Sequence, residues 1–194
     1  SGQCGQVRNP LDAARLMELV REVDFKRNTR RVALTGGEPL LQTHFLREWL
    51  PLLCGDEHSI YLETAGDLPR PLKAIIEWID IVAMDVKLSS VTGESNAFPA
   101  HWQFLKTCRD WDVEVFTKLV LSAATDEGEL MEAVQGIRKA GGVDTLVVVQ
   151  PATPSEKGAA APSGEQLLRW QDKVGKLLPN VRVIPQTHKM MQML

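Results

Sequence analysis

Cysteine is scarce in this sequence: Cys4, Cys54 and Cys108 are the only three among 194 residues. Their number is odd, their spacing is wide, and no two stand at metal-ligand spacing. That argues against a disulfide framework or a cysteine-rich metal site and for a reducing compartment, the cytoplasm. Cys54 and Cys108 fall in apolar helical patterns and read as small packing residues. A dominant charge is lacking too. The net charge of −3 excludes broad electrostatic attraction to nucleic acid or to a membrane surface. No apolar run approaches membrane-spanning length. The polar opening "SGQCGQVRNP" does not resemble a secretory leader. Low-complexity blocks and sequence repeats are missing as well. What remains is a chain long enough to bury one real core, expected to form a single domain over 1–194.

The pattern that is present alternates between two periods. "NPLDAARLMELVREV" has apolar residues at helical spacing, with Asn9 as an expected cap and Pro10 at the first helical position. "RRVALT" reads as a short buried strand. "LLQTHFLREWLPLL" reads as a helix that Pro51 bends or ends. The alternation continues with a strand "SIYLET", a helix over 68–78, a strand "DIVAMDVK", and a helix over 99–109. It ends with a strand "VEVFTKLVL", a helix over 127–140, a strand "DTLVVVQP", a helix "GEQLLRWQDKVGKLL" and a strand "VRVIPQ". Strands separated by helices predict βαβ units and a mostly parallel sheet, hence an α/β fold. Strand cores rich in Val, Ile and Leu predict a sheet covered on both faces.

Parallel α/β sheets gather ligands at the C-terminal ends of their strands. Those ends are chemically loaded here: Thr35-Gly36-Gly37-Glu38-Pro39, Glu63-Thr64-Ala65-Gly66, Asp85-Val86-Lys87, Lys118, Gln150-Pro151-Ala152-Thr153 and Pro185-Gln186-Thr187-His188-Lys189. The two glycines permit a close backbone approach and unusual angles. Pro39 disfavours a helical conformation at Glu38 and holds it extended at the mouth of the sheet. A carboxylate beside peptide groups suits an ammonium better than a phosphate, which prefers free amides and a lysine. The bland reading of Gly-Gly-Glu-Pro is a tight turn with a helix-starting proline.

These residues carry a resemblance. "TGGEPLLQ" after a strand resembles the motif by which radical S-adenosylmethionine enzymes hold the amino group of the cofactor's methionine. Together with "ETAG", "MDVKLSS", "VVVQPATP" and the closing "VIPQTHKMM", the sequence is similar to the 7-carboxy-7-deazaguanine synthase branch from about Asn9 to the C-terminus. The resemblance implies a partial (βα) barrel. It implies a lyase reaction of queuosine biosynthesis, upstream of tRNA modification: rearrangement of 6-carboxy-5,6,7,8-tetrahydropterin to 7-carboxy-7-deazaguanine with loss of ammonia. It implies S-adenosylmethionine, a [4Fe-4S] cluster and Mg²⁺ as cofactors, a small pterin substrate, and a possible homodimer.

Carried over by position, Gly36, Gly37 and Glu38 would meet the methionine end of S-adenosylmethionine. Asp85, Val86 and Lys87 would lie along its ribose and carboxylate, and Gln150, Pro151, Ala152 and Thr153 would border its adenine. Thr35 and His188 would sit beside the substrate, and Glu63 and Thr64 would line the cavity floor. No catalytic residue is assigned. Rival readings stay open. Lys87 could be a solvated strand-end lysine, Glu63 could pair with Lys87 or Lys118, and His188 could be a loosely held terminal histidine. His44, His58 and His101 share no spacing and read as structural or solvent-facing. The tryptophans 49, 78, 102, 111 and 170 read as packing residues.

The same resemblance exposes a gap. The family holds its cluster through Cys-x-x-x-Cys-x-x-Cys after the first strand, and such sites demand closely spaced thiolates. No such triplet occurs, and Cys4 stands alone just before the first helix. The expectation is a chain that starts after that strand and loop, lacks the metal ligands, and is inactive by itself; a degenerate relative is the alternative. Two other functions remain in play: a different radical enzyme of the activase type, and a non-catalytic S-adenosylmethionine-binding module.

Overall fold

The computed structural model describes residues 10–24, 30–153 and 160–185. Asn9, Cys4 and His188 lie outside the described residues, as does the rest of the closing segment beyond 185. Six strands form one sheet in the order β1-β2-β3-β4-β5-β6, every neighbouring pair parallel. They are β1 (Arg31–Leu34), β2 (Ser59–Thr64), β3 (Ile81–Val86), β4 (Glu114–Leu121), β5 (Leu146–Pro151) and β6 (Val181–Val183). The principal helices between them are α1 (Ala13–Asp24), α2 (Thr43–Gly55), α3 (Pro69–Lys73), α4 (Ser89–Thr92), α5 (Phe98–Asp110), α6 (Glu127–Gly141) and α7 (Gly164–Gly175).

Local chemistry explains where several helices start. At α6, Asp126 Oδ1 accepts the Glu129 N–H at 2.7 Å. At α7, a reciprocal box forms: Ser163 Oγ accepts the Gln166 N–H at 3.1 Å, and Gln166 Oε1 accepts the Ser163 N–H at 2.9 Å. The first helix begins at Ala13 and not at Pro10, because Asp12 Oδ1 accepts the Arg15 N–H at 2.7 Å and supplies the cap. Pro51 stays inside α2, on an exposed side, without ending it. The single helix expected over 68–78 is instead α3 followed by a 3-10 turn at Ile76–Trp78. Ile75 and Ile76 are both fully buried. The helix is interrupted at Ile75, whose backbone at φ −135° and ψ −1° is not helical and lets both side chains enter the core.

The strand order never reverses, and right-handed crossovers then put the connecting helices on one side of the sheet. The core confirms this. Leu34, Ile60, Leu62, Val82, Met84, Leu119, Val147 and Val149 pack with Leu50, Leu53, Leu72, Phe104, Leu130, Val134 and Trp170 from the helices. Each such buried aliphatic side chain contributes roughly 1.5–3 kcal/mol. The expectation of two covered faces is therefore corrected. Alternate strand residues, among them Tyr61, Glu63, Asp85, Phe116, Lys118 and Gln150, project from the opposite face and stay partly exposed. This is the incomplete (βα) barrel, with helices outside and a polar inner face. Trp49 and Trp170 are buried and Trp78 and Trp102 pack against the core, but Trp111 is 54% exposed, against its reading as a packing residue.

Candidate functional site

A cleft of about 340 Å³ opens at the C-terminal ends of β1 to β4. Its walls are Thr35, Gly36, Gly37 and Glu38 after β1, Glu63, Thr64 and Ala65 at the end of β2, Asp85 and Lys87 at the end of β3, and Lys118 on β4. Four separate stretches of sequence thus meet in one place, as the strand-end argument requires.

Glu38 is extended, at φ −114° and ψ 108°, as the following proline dictates. Its carboxylate is a clamp. Oε1 accepts the Leu40 N–H at 3.1 Å and the Thr64 hydroxyl at 2.9 Å, and Oε2 accepts the Ala65 N–H at 2.8 Å. A carboxylate offers about four acceptor directions, so three are committed to joining the β1 and β2 loops and one remains for a ligand. Gly36 has φ +122°, a region that side chains avoid. A Cβ built on Gly36 or Gly37 meets nothing within 4 Å, so this backbone borders open space.

The floor is ionic. Lys118 Nζ lies 2.9 Å from Asp85 Oδ1 and 3.5 Å from Glu63 Oε1. Thr35 donates its hydroxyl to Glu63 Oε2 at 3.1 Å. Burial works against the charge on Lys118, but the contact with Asp85 and the charges of Asp85 and Glu63 outweigh it and hold the ammonium above the ordinary lysine range. Glu38, Glu63 and Asp85 against Lys87 and Lys118 leave the lining at −1, three charges less two.

Two supports lie just behind the cleft. His101, 1% exposed on α5, hydrogen-bonds through Nδ1 to the Gly66 carbonyl at 2.9 Å. Burial pushes its titration below the usual histidine range, so the neutral ring donates the Nδ1 proton. Glu129 on α6 accepts the Ser89 and Ser90 N–H groups at 2.6 and 2.9 Å and pins the turn that follows Lys87.

The expected site residues divide accordingly. Thr35, Gly36, Gly37, Glu38, Glu63, Asp85 and Lys87 come together. Val86 does not line the cleft with its side chain; it faces the helix layer and is buried in the core. Gln150 pairs with Val120 on the inner face, beyond β4, and neither it nor Pro151, Ala152 and Thr153 forms a wall of this cleft. Lys87 is exposed, while Glu63 pairs with Lys118, as one rival reading held. Lys118 stands among the loaded strand ends and as a possible partner of Glu63, with no site role from the resemblance, and Glu129 was missed: nothing local marks a residue that acts 40 positions away from Ser89. A larger hollow of about 590 Å³ lies between α5 and α6, beside Trp102 and Gly136. It sits on the outer helix layer, away from every strand end, where parallel sheets do not gather ligands.

The cleft suits the polar end of S-adenosylmethionine, with open backbone at Gly36–Gly37, a carboxylate at Glu38 and a lysine at Lys87. An iron–sulfur cluster does not fit the described residues. Cys54 and Cys108 stand on different helices, and burial pushes the Cys108 thiol up to about 12, the opposite of what a thiolate ligand needs. Among the described residues no three His, Cys, Asp or Glu side chains group as a metal site, for Mg²⁺ or otherwise.

No family model matches the chain. It is similar to the 7-carboxy-7-deazaguanine synthase of Geobacter sulfurreducens, 33% identical over 164 residues, covering 82% of this chain and 62% of that protein. It is 34% identical over 173 residues to the protein of the same name from Methanopyrus kandleri, covering 89% of this chain and 64% of that one. The chain thus spans a little under two thirds of the length of these curated relatives. Among solved structures, a domain of pyruvate-formate lyase-activating enzyme from Bacteroides vulgatus superposes with a TM-score of 0.60 at 15% identity, over 79% of this chain and 98% of that one. An archaeal TYW1 superposes with a TM-score of 0.56 at 14% identity, over 84% of this chain and 56% of that one. At such identities structural likeness speaks for the fold alone. The chain is similar in sequence to these 7-carboxy-7-deazaguanine synthases, and its partial (βα) barrel shares the fold of that domain of pyruvate-formate lyase-activating enzyme.

Proposed function

We propose that this chain carries the core of a 7-carboxy-7-deazaguanine synthase, a cytoplasmic lyase that converts 6-carboxy-5,6,7,8-tetrahydropterin to 7-carboxy-7-deazaguanine with loss of ammonia, on the route to queuosine in tRNA. The observation that carries the reading is the meeting of Thr35, Gly37, Glu38, Glu63, Asp85 and Lys87, from three strand ends, in one cleft. The curated homologues support it from the sequence side. In this reading the Gly36–Gly37 backbone and the spare acceptor of Glu38 bind the methionine end of S-adenosylmethionine. Asp85 and Lys87 orient its ribose and carboxylate, and Thr35 and Glu63 hold the pterin. Gln150 to Thr153 would border the adenine where the ligand reaches past β4. Held there and cleaved by a one-electron reductant, S-adenosylmethionine would supply the hydrogen abstraction that begins such a rearrangement. The protein's own contribution is orientation of the two ligands and exclusion of water. The cluster and Mg²⁺ that the reaction calls for would need ligands other than the described residues.

The test is a ¹⁵N NMR titration of the chain, 21.6 kDa, with S-adenosylmethionine and with 6-carboxy-tetrahydropterin. The expected result is a shift of the Gly36, Gly37 and Ala65 amides by both compounds. Binding of S-adenosylmethionine without the pterin would favour a non-catalytic binding module. Silence of all three amides at millimolar ligand would overturn the reading.

A further inference from the structure

Lys118 belongs to none of the motifs that carry the resemblance, yet it occupies the centre of the cleft floor. Its side chain is 16% exposed, against 37% for Asp85 and 40% for Glu63, so the cation lies deeper than the two anions it joins. The register explains the arrangement. Asp85 pairs with Lys118 across β3 and β4, and Lys118 pairs with Val148 across β4 and β5. An apolar neighbour on one side and a carboxylate on the other direct the ammonium towards β3 and β2. The titratable groups facing it are Asp85 on β3 and Glu63 and Tyr61 on β2; Glu38 and Lys87 line the same cleft. Asp85 Oδ1 is shielded from solvent and has no well-aligned hydrogen-bond donor, so the ammonium 2.9 Å away is what compensates it. Glu63 passes the connection on, since its second oxygen holds the Thr35 hydroxyl.

We propose that Lys118 is a positioning residue: one half-buried ammonium locks the Glu63 and Asp85 carboxylates, and through Glu63 the Thr35 hydroxyl, into a row of acceptors facing the cleft. Without that cation two carboxylates on adjacent strand ends repel and turn apart. With it, the floor offers fixed acceptors to a ligand rich in N–H and O–H donors, such as an aminated heterocycle or a ribose, and opposes an anion. A lysine that attacks carbonyls must be neutral; this one is held charged, which sets it apart from an amine nucleophile. The ligand half of this inference rests on the function proposed above, and the positioning half does not.

Two measurements separate those halves. The first needs no ligand: the Lys118 ¹³Cε and ¹⁵Nζ signals, assigned by their loss in Lys118→Arg, are titrated in wild type and in Asp85→Asn. Lys118 should titrate above the bulk lysines in wild type and fall below them in Asp85→Asn, where its burial loses its compensation. Titration with the bulk lysines in both proteins overturns the proposal. The second is the affinity for 6-carboxy-tetrahydropterin. Lys118→Met should weaken it by about tenfold or more, the effect of losing one charge-assisted contact, and Lys118→Arg should recover most of that. Unchanged affinity in a folded Lys118→Met overturns the proposal. A wild type that binds no pterin refutes the functional reading, while the lysine titration still decides the positioning role.

Discussion

Replacing Glu129 by Gln tests how the turn that carries Lys87 is held. Glu129 accepts two backbone N–H groups, from Ser89 at 2.6 Å and Ser90 at 2.9 Å, and the Asn96 amide at 3.3 Å. Burial alone would raise its pKa; the hydrogen bonds from Ser90, Ser89 and Asn96 outweigh that and bring it down to about 2, from an ordinary 4.5. Its folded-state pKa is depressed, so its contribution is complete above the unfolded-state value near 4.5 and is lost as pH falls towards 2. The whole difference corresponds to at most about 3.5 kcal/mol. The carboxylate is only partly buried, and screening by solvent reduces this to about 1–1.5 kcal/mol. A glutamine can accept one N–H but presents its own NH₂ to the other, so Glu129→Gln should lose about that amount at pH 7. For a domain of this size it corresponds to a fall of roughly 2–5 °C in Tm. Urea unfolding of both proteins between pH 7 and pH 3 gives the measurement, and amide exchange reports the local effect at Ser89 and Ser90. The gap should be constant down to about pH 5.5 and narrow by pH 3. A gap that stays constant to pH 3, or no gap at pH 7, would refute the account.

His101 should titrate below the ordinary histidine range, because burial opposes its charge more than the Gly66 carbonyl and Asp67 favour it, while Lys87 adds to the opposition. Between the folded and unfolded values the unfolded chain binds more protons, so this contribution to stability is present above about pH 6.5 and disappears as pH falls through the folded value. A ¹H NMR titration of the ring, with unfolding free energies across pH 7 to 5, checks both; a midpoint above 6.5 contradicts it. Gly66→Ala should cost about 1–3 kcal/mol, since Gly66 has φ +68° and an added Cβ would stand 2.4 Å from Met84 Cγ; thermal unfolding measures it, and an unchanged Tm disproves the strain. Anaerobic treatment of the 194-residue chain with iron and sulfide should yield no stoichiometric [4Fe-4S] absorbance, as Cys54 and Cys108 are the described cysteines and stand on separate helices. A full cluster spectrum would overturn that expectation.

Much of this molecule was open to reading from its residues in order. The six strands and the main helices are local statements, made by apolar spacing within ten or fifteen residues, and each strand was found where its run of Val, Ile and Leu stands. The cleft was legible for a related reason: parallel βα order sends every strand's C-terminal end to the same rim, so "TGGEP", "ETAG" and "MDVK" had to be neighbours once the sheet formed. The break at Ile75 was not legible, because no glycine or proline stands at 74–76 to mark it and its non-helical backbone appears only in the folded chain.

The residue order by itself determined the α/β alternation, the extended Glu38 before Pro39, and the set of polar groups delivered to the sheet's mouth. Only the folded arrangement decided that the helices cover one face and leave the other open, because crossover direction is a property of the whole winding. It also decided that Val86 turns to the core while Asp85 turns to the cleft, that Lys118 joins Glu63 to Asp85, and that Glu129 reaches back 40 residues to Ser89. Charge pairs and clamps of this kind depend on distances in space between strand ends, and no local period in the chain encodes such distances.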